Sequence, residues 1–345
     1  MRGPGWSERV RVGVCSWADA ALIEDGSFYP KKSMTAEARL RWYARFFDTV
    51  EINSSYYAIP AARNAVRWRE RTPAGFLFNV KAYGLMTGHH PRPETLPAEL
   101  QLLLPRHPRL TRRGEVEAGA FPPEALDQAF RLFREAIDPL AQAGKLGYVL
   151  FQFAPWVRFD HVRLDYLASL PARLPGWTLA VEFRDRSWLP DHVDETLVAL
   201  RAAGLSHVIV DAPATPNAVP YVPELTARTV VFRLHGRNAE GWLRQLRGEE
   251  PAVREKYDYL YTEDELRALQ PDVEAAAAES ERVFISFNNN NRAFPVRNAL
   301  MMKRLLDMGG PERAPQPPRS ERPGEPGALL DSPQRSLFDR RPGGE

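Results

Sequence analysis

Eight short apolar runs recur along the chain, and in most of them residues that need cover alternate with residues that do not. They are VRVGVCSW (10–17), TVEINSS (49–55), FLFNVKA (76–82), GYVLFQF (147–153), TLAVEFR (178–184), SHVIVDAP (206–213), TVVFRLHG (229–236) and RVFISFNNN (282–290). A period of two places the two parities on opposite faces of a strand. Between the runs the period lengthens to that of a helix, over TAEARLRWYARFF (35–47), EALDQAFRLFREAIDPLAQAG (124–144), DETLVALRAAG (194–204) and TEDELRALQPDVEAAAAE (262–279), with a last helix near 295–308. Several of these open on Thr or Asp in N-cap position, and two run into Gly. Eight strand–helix alternations predict an α/β fold whose parallel sheet closes as a (β/α)8 TIM barrel over residues 9–308. The competitor is an open doubly wound sheet, which usually stops at about five or six strands. The Pro-rich connection ATPNAVPYVPELTA (214–227) should hold no full helix. Two connections are long, 84–122 and 237–261, and both follow strand C-terminal ends, where barrels carry function.

The same alternation says where the polar residues go. Glu51 and Asn53 oppose Val50 and Ile52; Lys81 opposes Val80; Gln152 opposes Phe151 and Phe153; Glu182 and Arg184 oppose Val181 and Phe183. Likewise Asp211 opposes Val208 and Val210, Arg233 and His235 oppose Phe232 and Leu234, and Asn288 opposes Ile285 and Phe287. If helices cover the apolar parity, the polar parity lines the barrel interior at its C-terminal mouth. Glu51, Glu182, Asp211, Lys81 and His235 are then the candidate catalytic groups. Asn53, Gln152, Arg184, Arg233, Asn288 and Asn289 are candidate ligand contacts, joined by Trp17 and Tyr57 as stacking faces and by His89 on the long connection. A self-compensating buried ion network would give the same pattern, but buried ion pairs are often no better than apolar packing, so stability alone does not call for one. Three cations among the carboxylates argue against a divalent metal, and no cofactor is implied. Arg184, Arg233, Lys81 and the amides suit an anion or a polyhydroxy ligand. Lys81 reads as ion-paired with Glu51, with Schiff-base formation as the alternative. Cys15 reads as core.

Composition adds bounds. The 345 residues are 44% hydrophobic and 26% charged, with a net charge of +2, which gives no strong pull toward nucleic acid or membrane. One cysteine excludes an internal disulfide framework and fits a reducing compartment; with no apolar leader and no 18-residue apolar run, a cytoplasmic protein is expected. Residues 309–345 hold eight Pro, six Gly and one aromatic, a composition expected to form a disordered tail.

The segments CSWADAALIEDGSFYP, FFDTVEINSSYYAIP, FLFNVKA, LFQFAPW, VEFRDRSW, VDAP, RLHGRN, YDYLYTEDEL and SFNNN, in that order from about residue 10 to 307, resemble the domain-of-unknown-function family 72, the YecE-like family. The resemblance implies a TIM barrel. Through a likeness to endonuclease-IV-like barrels it also implies DNA binding. The family's polar positions fall on Glu51, Asn53, Lys81, Gln152, Glu182, Arg184, Asp211, Arg233, His235, Asn288 and Asn289. The family's Thr-His pair reads Thr87-Gly88-His89 here, and the chain has too few histidines at the mouth for a three-zinc site. In the tail, QRSLF (334–338) resembles the bacterial sliding-clamp-binding pentapeptide, with Gln334, Ser336, Leu337 and Phe338 as the docking residues. Three readings stand: a barrel enzyme with carboxylate acid–base chemistry on a phosphate-bearing ligand or nucleic acid, a non-catalytic nucleic-acid module recruited to the clamp, or a sugar or sugar-phosphate enzyme.

Overall fold

A computed structural model describes residues 6–216, 218–247, 249 and 255–309. The clamp-like motif at 334–338 and the tail from residue 310 lie outside the described residues. Each of the eight apolar runs forms a strand: β1 Val10–Val14, β2 Thr49–Ile52, β3 Leu77–Lys81, β4 Leu146–Gln152, β5 Leu179–Glu182, β6 Ser206–Asp211, β7 Thr229–Leu234 and β8 Arg282–Phe287. Paired strands are parallel, in the order β1-β8-β7-β6-β5-β4-β3-β2.

The barrel closes where β1 meets β2, through a side chain. Tyr43 on the Ala36–Tyr43 helix places its hydroxyl between the two strands, accepting from Val14 N at 3.0 Å and donating to Thr49 O at 2.9 Å. The strands approach so closely that a Cβ at Gly13 would fall 2.3 Å from Thr49 O, so only glycine fits.

The expected helices form over Ala36–Tyr43, Pro123–Gln142, Val193–Ala203, Glu263–Glu279 and Phe294–Leu305; Ala62–Glu70, His161–Arg173 and Ala239–Leu246 add to the outer ring. Thr35 caps the first of these, and Thr262 with Glu265 forms a capping box on Glu263–Glu279. The Val193–Ala203 helix stops at Gly204, which takes the left-handed conformation at φ 66°. Between β6 and β7 no helix forms among the described residues, as the proline content of that connection predicts. No described helix is long and apolar enough to cross a membrane.

Two apolar clusters separate along the alternation. Val12, Val50, Phe78, Phe151, Val181, Phe232 and Ile285 pack between sheet and helices. Leu77, Tyr148, Leu150, Ala180, Val208, Val210, Val231 and Phe284 fill the barrel's interior. Above that floor the interior turns polar.

Candidate functional site at the barrel mouth

Just above the apolar floor lies an inner tier of fully buried ions. Arg233 on β7 donates from Nε and Nη2 to the two oxygens of Glu51 on β2, at 3.0 and 2.6 Å, and from Nη1 to Glu182 Oε2 on β5. Tyr148 on β4 donates to Glu51 Oε2 at 3.2 Å, and Arg233 Nη2 also reaches Cys15 Sγ at 3.7 Å. Burial pushes the Cys15 thiol up, the Glu51 charge adds to it, and the group stays protonated. Glu182 Oε1 accepts from Gln152 Nε2 at 2.7 Å and His235 Nε2 at 3.1 Å, and pairs ionically with Arg184 Nε at 2.7 Å. Burial pushes the Glu182 carboxyl up, but Arg184, Arg233 and the His235 bond outweigh it and hold it well below the usual range. Burial and Arg184 press His235 down to about 3, so its ring is neutral. Asn288 Nδ2 lies 2.8 Å from His235 Nδ1, which leaves Nε2 to carry the proton donated to Glu182.

The outer tier is cationic and aromatic. Lys81, at the end of β3, donates from Nζ to Gln152 Oε1 at 2.6 Å and stands 4.3 Å from the centroid of the Tyr56 ring. No described carboxylate pairs with it, so the expected Lys81–Glu51 ion pair does not form: Glu51 is already taken by Arg233. Burial, followed by the charges of Arg233 and Arg184, lowers Lys81 to about 7. Arg184 lies over Trp242 at 5.6 Å, and Lys256 lies over Trp242 and Tyr257 at 5.2 and 4.7 Å. Burial pushes the Tyr257 hydroxyl up, yet Lys256, Arg184 and Arg233 pull it below its ordinary value. His89 stands edge-on to Tyr56 at 4.8 Å, and burial with the Lys81 and Arg184 charges brings it down to about 3. Its Nδ1 is 2.9 Å from Thr87 Oγ1, whose own proton goes to Gly84 O, so Nδ1 carries the ring proton. Tyr57, 64% exposed, flanks the same opening.

Asp211, Trp17 and Asn289 do not line the mouth as expected. On β6 the interior parity is Val208 and Val210, so Asp211 faces away from the interior. It binds Arg237 at 2.6 Å and Tyr261 at 2.6 Å, fastening the segment after β7. Trp17 packs edge-on against Trp68 and Phe78 in the helix layer. Asn289 donates to Tyr259 O and Asn298 Oδ1, a brace for the same segment and not a lining of the mouth. Asn53 sits over the seam and donates to Cys15 O at 3.4 Å. Arg233 lines the interior as expected, but its donors are spent on Glu51 and Glu182 and it cannot be a free ligand contact. Alternation alone pointed to none of Tyr148, Cys15, Trp242, Lys256 and Tyr257 as members of the site. Among the described residues no group of three His, Cys, Asp or Glu side chains is arranged to hold a metal.

Fold and site together define a (β/α)8 barrel with a neutralised ion network under a cationic, aromatic mouth. The chain belongs to the family described as Protein of unknown function DUF72, whose model matches residues 11–322. It is similar to UPF0759 protein YunF of Bacillus subtilis (strain 168), 31% identical over 303 residues that cover 87% of this chain and 95% of that protein. Solved DUF72 family proteins share the fold. One from Enterococcus faecalis is 27% identical with a TM-score of 0.70, covering 88% of this chain and 99% of the other. Another from Thermotoga maritima is 30% identical with a TM-score of 0.66, covering 86% of this chain and 99% of the other.

Proposed function

We propose that the mouth binds a phosphate-bearing ligand through Arg184 and Lys256, beside Lys81. Charge carries this reading. Glu51 and Glu182 are spent on Arg233 and Arg184, and neither Lys81 nor Lys256 has a carboxylate partner among the described residues. An anion would complete that balance, and the faces of Trp242, Tyr257 and Tyr56 suit a sugar or ring attached to it. The exposed rings of Tyr57 and Trp156 favour, as a second reading, single-stranded nucleic acid, whose bases would stack there.

Calorimetric titration with inorganic phosphate and with a sugar phosphate tests the first reading. A hydrogen bond to a charged group contributes about 1.5–3 kcal/mol, so Arg184→Ala should weaken binding by roughly 10- to 100-fold. Equal affinity in the two proteins would remove the anion site. For an oligonucleotide, the slope of affinity against salt should be steep and should fall by ~1 in Arg184→Ala; a small ligand gives a shallow one.

A further inference from the structure

The lysines of this chain fall into distinct settings, and one of them is set up for chemistry. Lys145 Nζ is held by Arg69 O, Thr72 O and Thr72 Oγ1, and Lys303 Nζ by Phe46 O. Both are anchors. Lys31 and Lys32 are exposed, and Lys256 lies on aromatic faces at the rim. Lys81 alone ends a barrel strand at the mouth, held by one neutral amide oxygen and an aromatic ring. Gln152 cannot turn away from it, because its Nε2 is committed to Glu182 at 2.7 Å, which keeps Oε1 toward Nζ. One N–H is therefore taken and the amine is oriented, with Arg184 and Arg233 on their strands as the neighbouring charges and both nearby carboxylates engaged elsewhere.

We propose that Lys81 is a nucleophile that forms an imine with an aldehyde or ketone carrying an anionic group, and this rests on the reading of the mouth as an anion site. The Nζ lone pair forms the C–N bond as the carbonyl π pair moves onto oxygen. The nitrogen gives up a proton and the oxygen takes one, which yields a carbinolamine. That hydroxyl takes a second proton from solvent, the C–O bond breaks with loss of water, and the nitrogen lone pair closes the protonated imine. No oxidant or reductant enters. Three features of the site serve this sequence. Burial beside two guanidinium groups, with Lys81 at about 7, leaves much of the amine unprotonated near neutrality. His89, neutral and edge-on to the same Tyr56 ring, keeps a lone pair on Nε2 that can accept a hydrogen bond from the amine or the carbinolamine hydroxyl, while solvent carries the protons. Arg184 would hold the anionic end of the substrate and fix the carbonyl near Nζ.

Borohydride trapping of the full chain at pH 7 with glyceraldehyde 3-phosphate, pyruvate or uncharged glyceraldehyde tests this, read by intact mass and peptide mapping. One adduct per chain is expected, on Lys81, forming at least about tenfold faster than on Lys31 or Lys32. The charged carbonyls should react faster than glyceraldehyde, inorganic phosphate should protect, and Lys81→Met should lose the adduct. Modification spread over Lys31 and Lys32 with Lys81 no faster overturns the imine. If Lys81 stays unmodified while phosphate binding remains sensitive to Arg184→Ala, the imine falls and the anion site stands. If Lys81 is trapped equally by charged and uncharged carbonyls, and phosphate does not protect, the anion site falls and the nucleophile stands.

Discussion

Replacing Arg233 by Met removes the cation on which the inner tier depends. Glu182 keeps Arg184, Gln152 and His235 as partners, but Glu51 is left with only the neutral Tyr148 hydroxyl and Cys15 thiol. Breaking a buried pair by deleting one partner costs about 3–5 kcal/mol, because the remaining charge is stranded. Protonation is the way out for a stranded carboxylate, and its cost grows by ~1.4 kcal/mol for each pH unit above an ordinary value near ~4.3. That route costs ~4 kcal/mol at pH 7 and ~2 kcal/mol at pH 5.5. The sign follows from proton counting: the folded variant holds a proton that the unfolded chain releases, so its stability falls as pH rises. An unfolding entropy of ~2.1 cal/mol/K per residue over roughly 300 ordered residues converts these losses to about 6 °C at pH 7 and about 3 °C at pH 5.5. Calorimetric melts of Arg233→Met and the parent at both pH values measure them. A drop below ~2 °C at pH 7, or a larger drop at pH 5.5 than at pH 7, would refute the argument.

Lys81→Met should act in the opposite direction. Lys81 lies at about 7 in the folded chain against 10.5 unfolded, so the folded state disfavours its charge and stability rises with pH between those values. The variant should melt higher than the parent at pH 6, by more than the loss of the Gln152 bond takes back, and the gain should vanish toward pH 10.5; a lower melting point at pH 6 counts against a strained lysine. Tyr43→Phe leaves Val14 N and Thr49 O unpaired at the β1–β2 seam, at ~1–3 kcal/mol for each buried group. Amide exchange at Val14 should accelerate in that variant, and unchanged protection would mean that the seam is held by something else.

The alternation identified the barrel because β2–β5, β7 and β8 carry polar residues on the interior parity near their C-terminal ends. β6 does not. Val208, Ile209 and Val210 are apolar on both parities, so period two carries no information about facing there, and Asp211 was assigned to the wrong side. Trp17 and Asn289 miss the mouth for a related reason: both lie past the last paired residue of a strand, Val14 and Phe287, where the pleat no longer dictates direction. Tyr148 and Cys15 were hidden by their own character, since each counts as apolar within an apolar run and only the packed interior reveals a hydroxyl and a thiol beside Glu51 and Arg233. Trp242, Lys256 and Tyr257 belong to the long 237–261 connection, which has no strand periodicity to read. The polar parity also could not say which cation each carboxylate would take. Glu51 and Glu182 choose Arg233, whose planar fork reaches both from one strand, and Lys81 is left without a carboxylate.

That division makes the costly inner tier intelligible. An apolar layer of the same volume would hold the barrel at least as well as Glu51, Arg233 and Glu182 do. It could not fix two guanidinium groups beside a lysine. Arg233 is immobilised from below by Glu51, and Arg184 is drawn in from the rim by Glu182. The carboxylates therefore place positive charge near Lys81 while cancelling it overall: two anions and two guanidinium groups sum to zero within the cluster. A lysine near a neutral cluster would keep most of its basicity if nearby charges of both signs were equally close. Lys81 does not, because after burial the next largest influences on it are the two arginines, ahead of both carboxylates. Each carboxylate faces its arginine partner, and Gln152 stands between Glu182 and Nζ, passing on an amide oxygen in place of a charge. Substituting Gln152 would therefore disturb Lys81 more than its neutral side chain suggests.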